Sequence, residues 1–219
     1  MKIHAAVFIC CASLAAITVE PRAVLIDNDQ VKVLRALEKP HVPGAFHDHK
    51  MNRVMAYLQP GTQRFKYQDG RPPKTFEFKA GEVEWSPADG MHSPEVISEE
   101  PFNIIETEIK IAGTGKAIPA ELDPLKVNPQ RYHLEFENRQ VRVLRVHLEG
   151  HAETPMHRHT LNRVTIFLTD QDFSAKDSSG KVTYSKHKAG DVIWGTPTAH
   201  SEVNLSDKPF EAVVIELKG

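Results

Sequence analysis

The sequence predicts an all-β protein built from two copies of one folded unit. The stretch HDHKMNRV from His47 to Val54 recurs as HRHTLNRV from His157 to Val164. Around these copies the chain is rich in short β-branched runs separated by Gly, Pro and Asp, and no segment has a convincing helical period. Because the self-similarity runs through most of both halves, it indicates a duplicated domain.

The repeat also sets the domain boundaries. The matching segments are 31–35 with 141–145, 47–54 with 157–164, 79–85 with 188–194, 92–93 with 200–201, and 101–102 with 209–210. We therefore predict one domain over 22–110 and a second over 131–219. The segment 111–130 contains Gly and Pro residues that interrupt regular structure, and we interpret it as a linker.

Within each half, the pattern favours strand and turn throughout. In chain order, strands are predicted at 31–37 and 141–147, at 54–58 and 164–168, at 75–78 and 182–184, and at 104–109 and 212–217. Asp69-Gly70 and Ser179-Gly180 have the composition of hairpin tips. Short strands at regular spacing, joined by Gly and Pro turns, argue for a β-sandwich or barrel in each half.

The composition is that of an ordinary soluble globular protein. Of 219 residues, 40% are hydrophobic and 26% are charged, and the formal net charge is -2. Because both signs of charge are interspersed, nucleic acid and anionic membrane surfaces are disfavoured as main partners. A small-molecule ligand and no membrane span are expected, with an anionic ligand as one hypothesis, and the oligomeric state stays open.

The N-terminus has the layout of a secretory signal peptide. Met1-Lys2 precedes an uncharged run from Ile3 to Ile17 that contains small residues suited to cleavage, so we expect residues 1–16 to be removed on export to the periplasm or outside the cell. A buried first strand is the alternative. The only cysteines, Cys10 and Cys11, lie in this segment. A metal in the mature protein would therefore be held by imidazole or carboxylate.

Each half carries three histidines at matching places. Residues i and i+2 of a strand point to one face, so His47 and His49 can share a cation. Three neutral nitrogen donors leave coordination positions open for water or substrate. The alternative is a set of hydrogen-bonded histidines with no metal. The predicted ligands are His47, His49 and His92 in the first half, and His157, His159 and His200 in the second.

The order of these residues resembles the two motifs of the cupin superfamily. HxH is followed by a strand, a hairpin, a Gly with an acid, Val and an aromatic residue, and a later His, and this order occurs in both halves. The resemblance implies a bicupin, that is, two tandem jelly-roll β-barrels. It also implies a divalent transition metal (Fe, Mn, Ni, Cu or Zn) held by each histidine trio. Cupin functions are diverse, so the fold alone does not define a substrate.

The sequence departs from the cupin pattern at one ligand. Where cupins usually have a Glu a few residues after HxH, this chain has Arg53 and Arg163. An Arg stays protonated and cannot bind a metal. At 5 Å and an effective dielectric of ~20 it would repel the ion by roughly 3 kcal/mol per metal charge. One hypothesis is that the Arg clamps an anionic substrate beside the metal. The alternatives are an Arg turned to solvent, or an anion pocket without metal.

Two classes of function follow. The first is a metal-dependent enzyme, oxygenase-like or hydrolytic or isomerising, acting on a small anionic substrate. The second is a non-catalytic protein that binds a metal or a small anion. Glu84, which is Ile193 in the second half, is a candidate acid or base in the first site only. Trp85 and Trp194 are expected to pack in the core, with a pocket-wall role as the alternative.

Overall fold

The computed structural model describes residues 22–118 and 121–219, so the predicted signal peptide lies outside the described residues. The described part of the first half forms eight strands: β1 (Arg22–Asp27), β2 (Val31–Glu38), β3 (Arg53–Tyr57), β4 (Gly61–Tyr67), β5 (Lys74–Phe78), β6 (Val83–Ser86), β7 (His92–Val96) and β8 (Phe102–Ile109). The second half forms a short helix and nine strands: α1 (Pro124–Val127), β9 (Tyr132–Glu137), β10 (Val141–Leu148), β11 (His157–His159), β12 (Arg163–Phe167), β13 (Gln171–Asp177), β14 (Val182–His187), β15 (Val192–Gly195), β16 (Thr198–Asn204) and β17 (Phe210–Leu217).

Each half folds into two facing antiparallel sheets. In the first half the orders are β1-β2-β8-β3-β6 and β5-β4-β7, and in the second they are β9-β10-β17-β12-β15 and β14-β13-β16-β11. Equivalent strands occupy equivalent places, and the non-sequential neighbours are those of a jelly roll. The predicted hairpin tips lie between β4 and β5 and between β13 and β14. The all-β prediction with two tandem jelly-roll barrels is confirmed.

The two halves share one hydrophobic core. Side chains alternate across a strand, so Val54 and Ala56 of β3 face the other half, while Arg53, Met55 and Tyr57 face the interior of their own barrel. The shared core contains buried residues from both halves: Val31, Val33, Val54, Ala56, Ile105, Ile109, Val141, Val143, Val164, Ile166, Val213, Ile215 and Leu217. The larger sheet of each half is therefore covered on both faces.

The aligned tryptophans lie at the edge of this shared core. Trp85 and Trp194 are partly buried and pack against it. The Trp85 ring also contacts Phe136 of the second half, with 6.5 Å between ring centroids. Both are thus core residues, as expected, and Trp85 additionally lines the first cavity.

Equivalent polar residues make reciprocal contacts across the junction. The Asn52 amide donates to Gln140 Oε1 at 2.6 Å, and the Asn162 amide donates to Gln30 Oε1 at 2.7 Å. Exchanging the two halves turns one contact into the other, which is the pattern of an interface with twofold symmetry. The halves therefore pack as a dimer does, within one chain.

The described part of the segment 111–130, which was predicted to be a linker, contains one short helix. Helix α1 begins after Asp123, whose carboxylate accepts a hydrogen bond from the Leu125 N–H at 2.9 Å, and Pro124 fits the first helical position. The same carboxylate, buried, forms an ion pair with Arg142. Within the described ranges, no helix has the length and apolar character needed to cross a membrane.

Candidate metal centres

The first histidine trio converges as the repeat predicts. His47 lies before β3 and exchanges two backbone hydrogen bonds with His92 at the start of β7, each of 2.9 Å. His49 follows two residues later and is 8% exposed. One ring nitrogen from each of the three lies within 4.8 Å of the others. A single ion can therefore contact all three imidazoles.

The second trio is built in the same way and is more deeply buried. His157 of β11 pairs in register with His200 of β16. His157 and His159 are almost fully inaccessible to solvent, and the three ligand nitrogens again lie within 4.8 Å of one another. Both predicted trios therefore have the geometry of a metal centre.

Backbone carbonyls orient three of the rings. Nδ1 of His47 is 2.9 Å from the oxygen of Ala45, and Nδ1 of His157 is 3.0 Å from the oxygen of Pro155. Nδ1 of His92 makes the same contact with the residue two before it, Gly90, at 3.1 Å. Because a carbonyl only accepts, each Nδ1 carries the proton and Nε2 presents its lone pair to the site.

A carboxylate orients His159 instead. Its Nδ1 lies 2.8 Å from Glu216 Oε1, and Arg142 Nε donates to Glu216 Oε2 at 2.6 Å. Burial raises the pKa of Glu216, but the hydrogen bonds from His159 and Arg142 outweigh it, so the net pKa is below its usual range. A carboxylate hydrogen-bonded to the far nitrogen of a ligand imidazole fixes the ring and makes it a stronger electron-pair donor to a metal.

Burial keeps the ligand histidines neutral. It lowers the pKa of His49 to about 3, with the nearby Arg53 charge as the next cause, and it lowers the pKa of His200 to about 4. The pKa values of His92 and His157 are also lowered, mainly by burial. Neutral imidazole is the form that binds metal, so His49 and His200 are available well below pH 7, and His92 and His157 stay neutral to a lower pH than exposed histidines do.

Arg53 is buried and lines the first cavity rather than turning to solvent. Its guanidinium donates to Ser86 Oγ at 2.8 Å and to Glu106 Oε2 at 3.3 Å, and Arg22 also pairs with Glu106. Two guanidinium groups thus share the carboxylate of Glu106, and Glu38, Glu84 and Asp89 line the same cavity. The role of Arg53 as an anion clamp stays a prediction.

The first cavity is polar on one wall and has a volume of about 330 Å³. Tyr57 donates to Glu84 Oε1 at 2.6 Å, and Gln63 donates to Glu38 Oε2 at 2.6 Å. Burial is the main cause that raises the pKa of both Glu38 and Glu84. The cavity therefore holds two acids that retain a proton more readily than exposed acids do. Glu84 lies where a proton donor or acceptor for the first site was predicted.

The second cavity is smaller, at about 200 Å³. Arg163 is buried in its wall and donates to the Thr196 carbonyl at 2.6 Å. The Tyr132 hydroxyl lies 3.1 Å from His157 Nε2 and 3.2 Å from Glu202 Oε2. Burial raises the pKa of Glu202, but the three adjacent histidines more than offset this and lower its net pKa.

Glu202, Tyr132 and Glu106 were not identified from the sequence. The signal for Glu202 was present, because it follows His200 by two residues on a strand and so points to the same face. Its place in the first half is taken by Pro94, so comparing the halves did not reveal it. Tyr132 and Glu106 come from distant strands, and only the folded barrel brings them to the histidines.

The remaining aligned histidines lie outside both centres. His41 and His151 occupy exposed loops with φ of 57° and 59°. His41 Nε2 is 3.3 Å from Glu99 Oε1, and His151 Nε2 is 2.7 Å from Asp207 Oδ1. They are surface residues paired with acids, not partners of the ligand histidines.

No protein-family model matches the chain, and no curated protein matches it in sequence. Solved structures do match it in fold. AerE from Microcystis aeruginosa superposes with a TM-score of 0.64 at 13% identity, over 92% of this chain and 95% of that one. An oxalate decarboxylase from Bacillus subtilis has a TM-score of 0.61 at 12% identity, over 89% and 70% of the two chains. A cupin 2 conserved barrel domain protein from Leptotrichia buccalis has a TM-score of 0.55 at 12% identity, over 92% of both chains.

These similarities define the fold class: the chain consists of two tandem cupin-type barrels. At 12–13% identity they carry no residue roles. The chain's own donor sets do carry chemical information. Two trios of imidazoles, each beside a cavity, fit a divalent transition metal and leave room for further ligands.

Proposed function

We propose that this protein is an exported bicupin that binds a divalent transition metal and acts as an enzyme on a small carboxylate in its first barrel. One observation carries the proposal: the first histidine trio faces a cavity of about 330 Å³ that is also lined by the buried guanidinium of Arg53. A pocket of this size suits a small molecule rather than a polymer. Solved relatives of the same fold include oxalate decarboxylase, which supports a carboxylate ligand.

The residues of the first cavity would have different roles. His47, His49 and His92 would hold the ion, which when bound supplies Lewis-acid or redox activation. Arg53 holds the anionic group of the substrate in a bidentate contact, and Ser86 fixes the guanidinium from behind. Glu84, hydrogen-bonded to Tyr57, donates or accepts the proton that the reaction moves. This arrangement would serve an oxygenase-like, a hydrolytic or an isomerising reaction.

Metal analysis of the purified protein tests the metal-binding proposal. We expect metal in the parent protein, with about one equivalent lost in each of the single variants His49→Ala and His159→Ala. His41→Ala, which alters a surface histidine, serves as the matched control and retains the full content. Metal content near zero in a folded parent protein would remove the enzyme proposal.

Titration with small carboxylates tests the substrate class. We expect the metal-loaded protein to bind acetate, oxalate or succinate in calorimetry, and Arg53→Gln to weaken this binding about tenfold or more, because it removes a charge-assisted bidentate contact. Lys79→Gln, on the exposed surface, provides the matched loss of one positive charge. Equal affinities in the parent and Arg53→Gln would refute the clamp.

The second barrel favours a different candidate function, which is metal binding without catalysis. Its cavity is smaller, and the Tyr132 hydroxyl already contacts a ligand nitrogen. Export rests on residues 1–16 and is tested separately, by N-terminal sequencing of the protein recovered outside the cytoplasm. A chain that still begins at Met1 there would contradict cleavage.

A further inference from the structure

The second centre contains more electron-pair donors than protons to share between them. Because His157 donates its Nδ1 proton to the Pro155 carbonyl, its Nε2 can only accept. Tyr132 has one hydroxyl proton and two acceptors within reach, His157 Nε2 at 3.1 Å and Glu202 Oε2 at 3.2 Å. One of the two therefore lacks a donor in this arrangement.

The third histidine, His200, also has a ring nitrogen without a partner. Nε2 of His200 is buried and has no hydrogen-bond partner among the described residues. Glu202 Oε1 lies 3.6 Å from that nitrogen, which is too far for a hydrogen bond. A buried ring nitrogen that has no partner and lies beside a carboxylate is costly, and a cation bound between the two groups would remove that cost.

The backbone holds Glu202 in this position. It lies on β16, two residues after His200, so both side chains point into the barrel. Its backbone N–H donates to Thr154 Oγ1 at 2.8 Å, and Thr154 is fully buried. The carboxylate is therefore a fixed part of the centre and not a mobile surface group.

We infer that Glu202 is a metal ligand of the second centre, completing a set of three histidines and one glutamate. This inference rests on the proposed metal site and adds a donor that the first centre lacks, since Pro94 occupies the equivalent position. If the ion binds His157 Nε2 and Glu202 Oε1, the Tyr132 hydroxyl has a single acceptor left, which is Glu202 Oε2. The carboxylate also opposes the charge of Arg163, which lines the same cavity. The two centres of one chain thus differ in ligand set.

The test isolates the second centre in the His49→Ala background and uses Co²⁺ as the probe. We expect Glu202→Gln, which keeps the shape of the side chain but removes its charge, to weaken Co²⁺ binding at least about tenfold. It should also change the visible absorption spectrum of the bound ion. Glu202→Asp, which retains a carboxylate, should lose less affinity, and Glu153→Gln, an exposed acid nearby, should lose none.

The variant Tyr132→Phe tests whether Glu202 binds the ion directly or acts only through its hydrogen bond with Tyr132. If Glu202 binds the ion, removing the phenol leaves the cobalt spectrum in place, because the carboxylate remains. If Tyr132→Phe reproduces the loss and the spectrum of Glu202→Gln, the ligand assignment is wrong. Equal Co²⁺ affinity in Glu202→Gln and the background also overturns it while leaving the metal site intact. A folded background protein that binds no Co²⁺ overturns both.

Discussion

Single residues decide how strongly each centre binds its ion. The matching position in both halves carries an Arg, and the two differ in how that charge is balanced. In the first half Arg53 pairs with Glu106, while in the second half Arg163 faces Glu202 and Glu216 without a hydrogen bond to either among the described residues. An arginine at this matching position therefore has different electrostatic consequences in the two barrels.

The carboxylate behind His159 gives a prediction at this scale. Glu216→Gln removes the charged acceptor that holds the His159 ring, and we expect metal affinity of the second centre to fall about 10- to 100-fold. Titration in the His49→Ala background measures it. Glu108→Gln is the matched control, since Glu108 occupies the same place on β8. An effect of Glu108→Gln on the second centre as large as that of Glu216→Gln would refute the specific role.

At the scale of elements, the shared core determines stability. Ile215 of β17 is fully buried and pairs in register with Val143 and Val164 on its two neighbouring strands. We expect Ile215→Ala to cost about 2–4 kcal/mol of unfolding free energy, because it removes buried methyl groups and leaves a cavity. Leu205→Ala, at a position 40% exposed, should cost less than about 0.5 kcal/mol.

The same variant tests whether the halves unfold together. Urea unfolding is followed by fluorescence in two backgrounds, Trp85→Phe and Trp194→Phe. In each background the signal comes from a single tryptophan that lies in a known half. Because residues of both halves form one core, Ile215→Ala should shift both midpoints by the same amount. A shift in the second half alone would show that the halves unfold independently.

Elements were predictable from sequence to the extent that their signals are local. Alternation and turn residues identified the main strands and both hairpin tips. The alignment of the two halves then identified the three histidines of each trio. Helix α1 was missed although Asp123 and Pro124 are a recognisable start, because a single turn has no periodicity. The junction between the halves was not predicted either. Because β3 and β12 are buried on both faces, no contrast between an exposed and a buried face marks the side that meets the other half.

At the scale of the whole molecule, duplication has produced two unlike interiors. Four polar side chains of the first interior, Arg22, Glu38, Glu84 and Glu106, are replaced in the second by Tyr132, Leu148, Ile193 and Val214. The sequence repeat conserves the histidines and hides this difference, because the changed positions come from separate strands. The first interior thus contains ionisable side chains, as the proposed substrate site requires, whereas the matching positions of the second interior are uncharged.

The buried acids of the first interior predict a pH dependence of stability. Burial raises the folded-state pKa of Glu84 above the ordinary value of 4.5. Between pH 4.5 and that raised pKa, the unfolded chain releases a proton that the folded chain keeps. Stability contributed by this group is therefore present below pH 4.5 and is lost as the pH rises through the folded pKa.

Glu84→Gln removes this titration while keeping a hydrogen-bond acceptor for Tyr57, so the variant should gain stability relative to the parent at pH 7 and not at pH 4. Chemical denaturation of the metal-free proteins at both pH values measures the difference. Glu77→Gln, on an exposed part of β5, should show the same small effect at each pH. If Glu84→Gln instead lost stability at pH 7, the carboxylate would be held ionised in the folded protein, and Glu84 could act only as a base. A gain at pH 7 alone would mean that folding has kept an acid in the first barrel at a cost in stability, as expected for a group that donates a proton to a substrate.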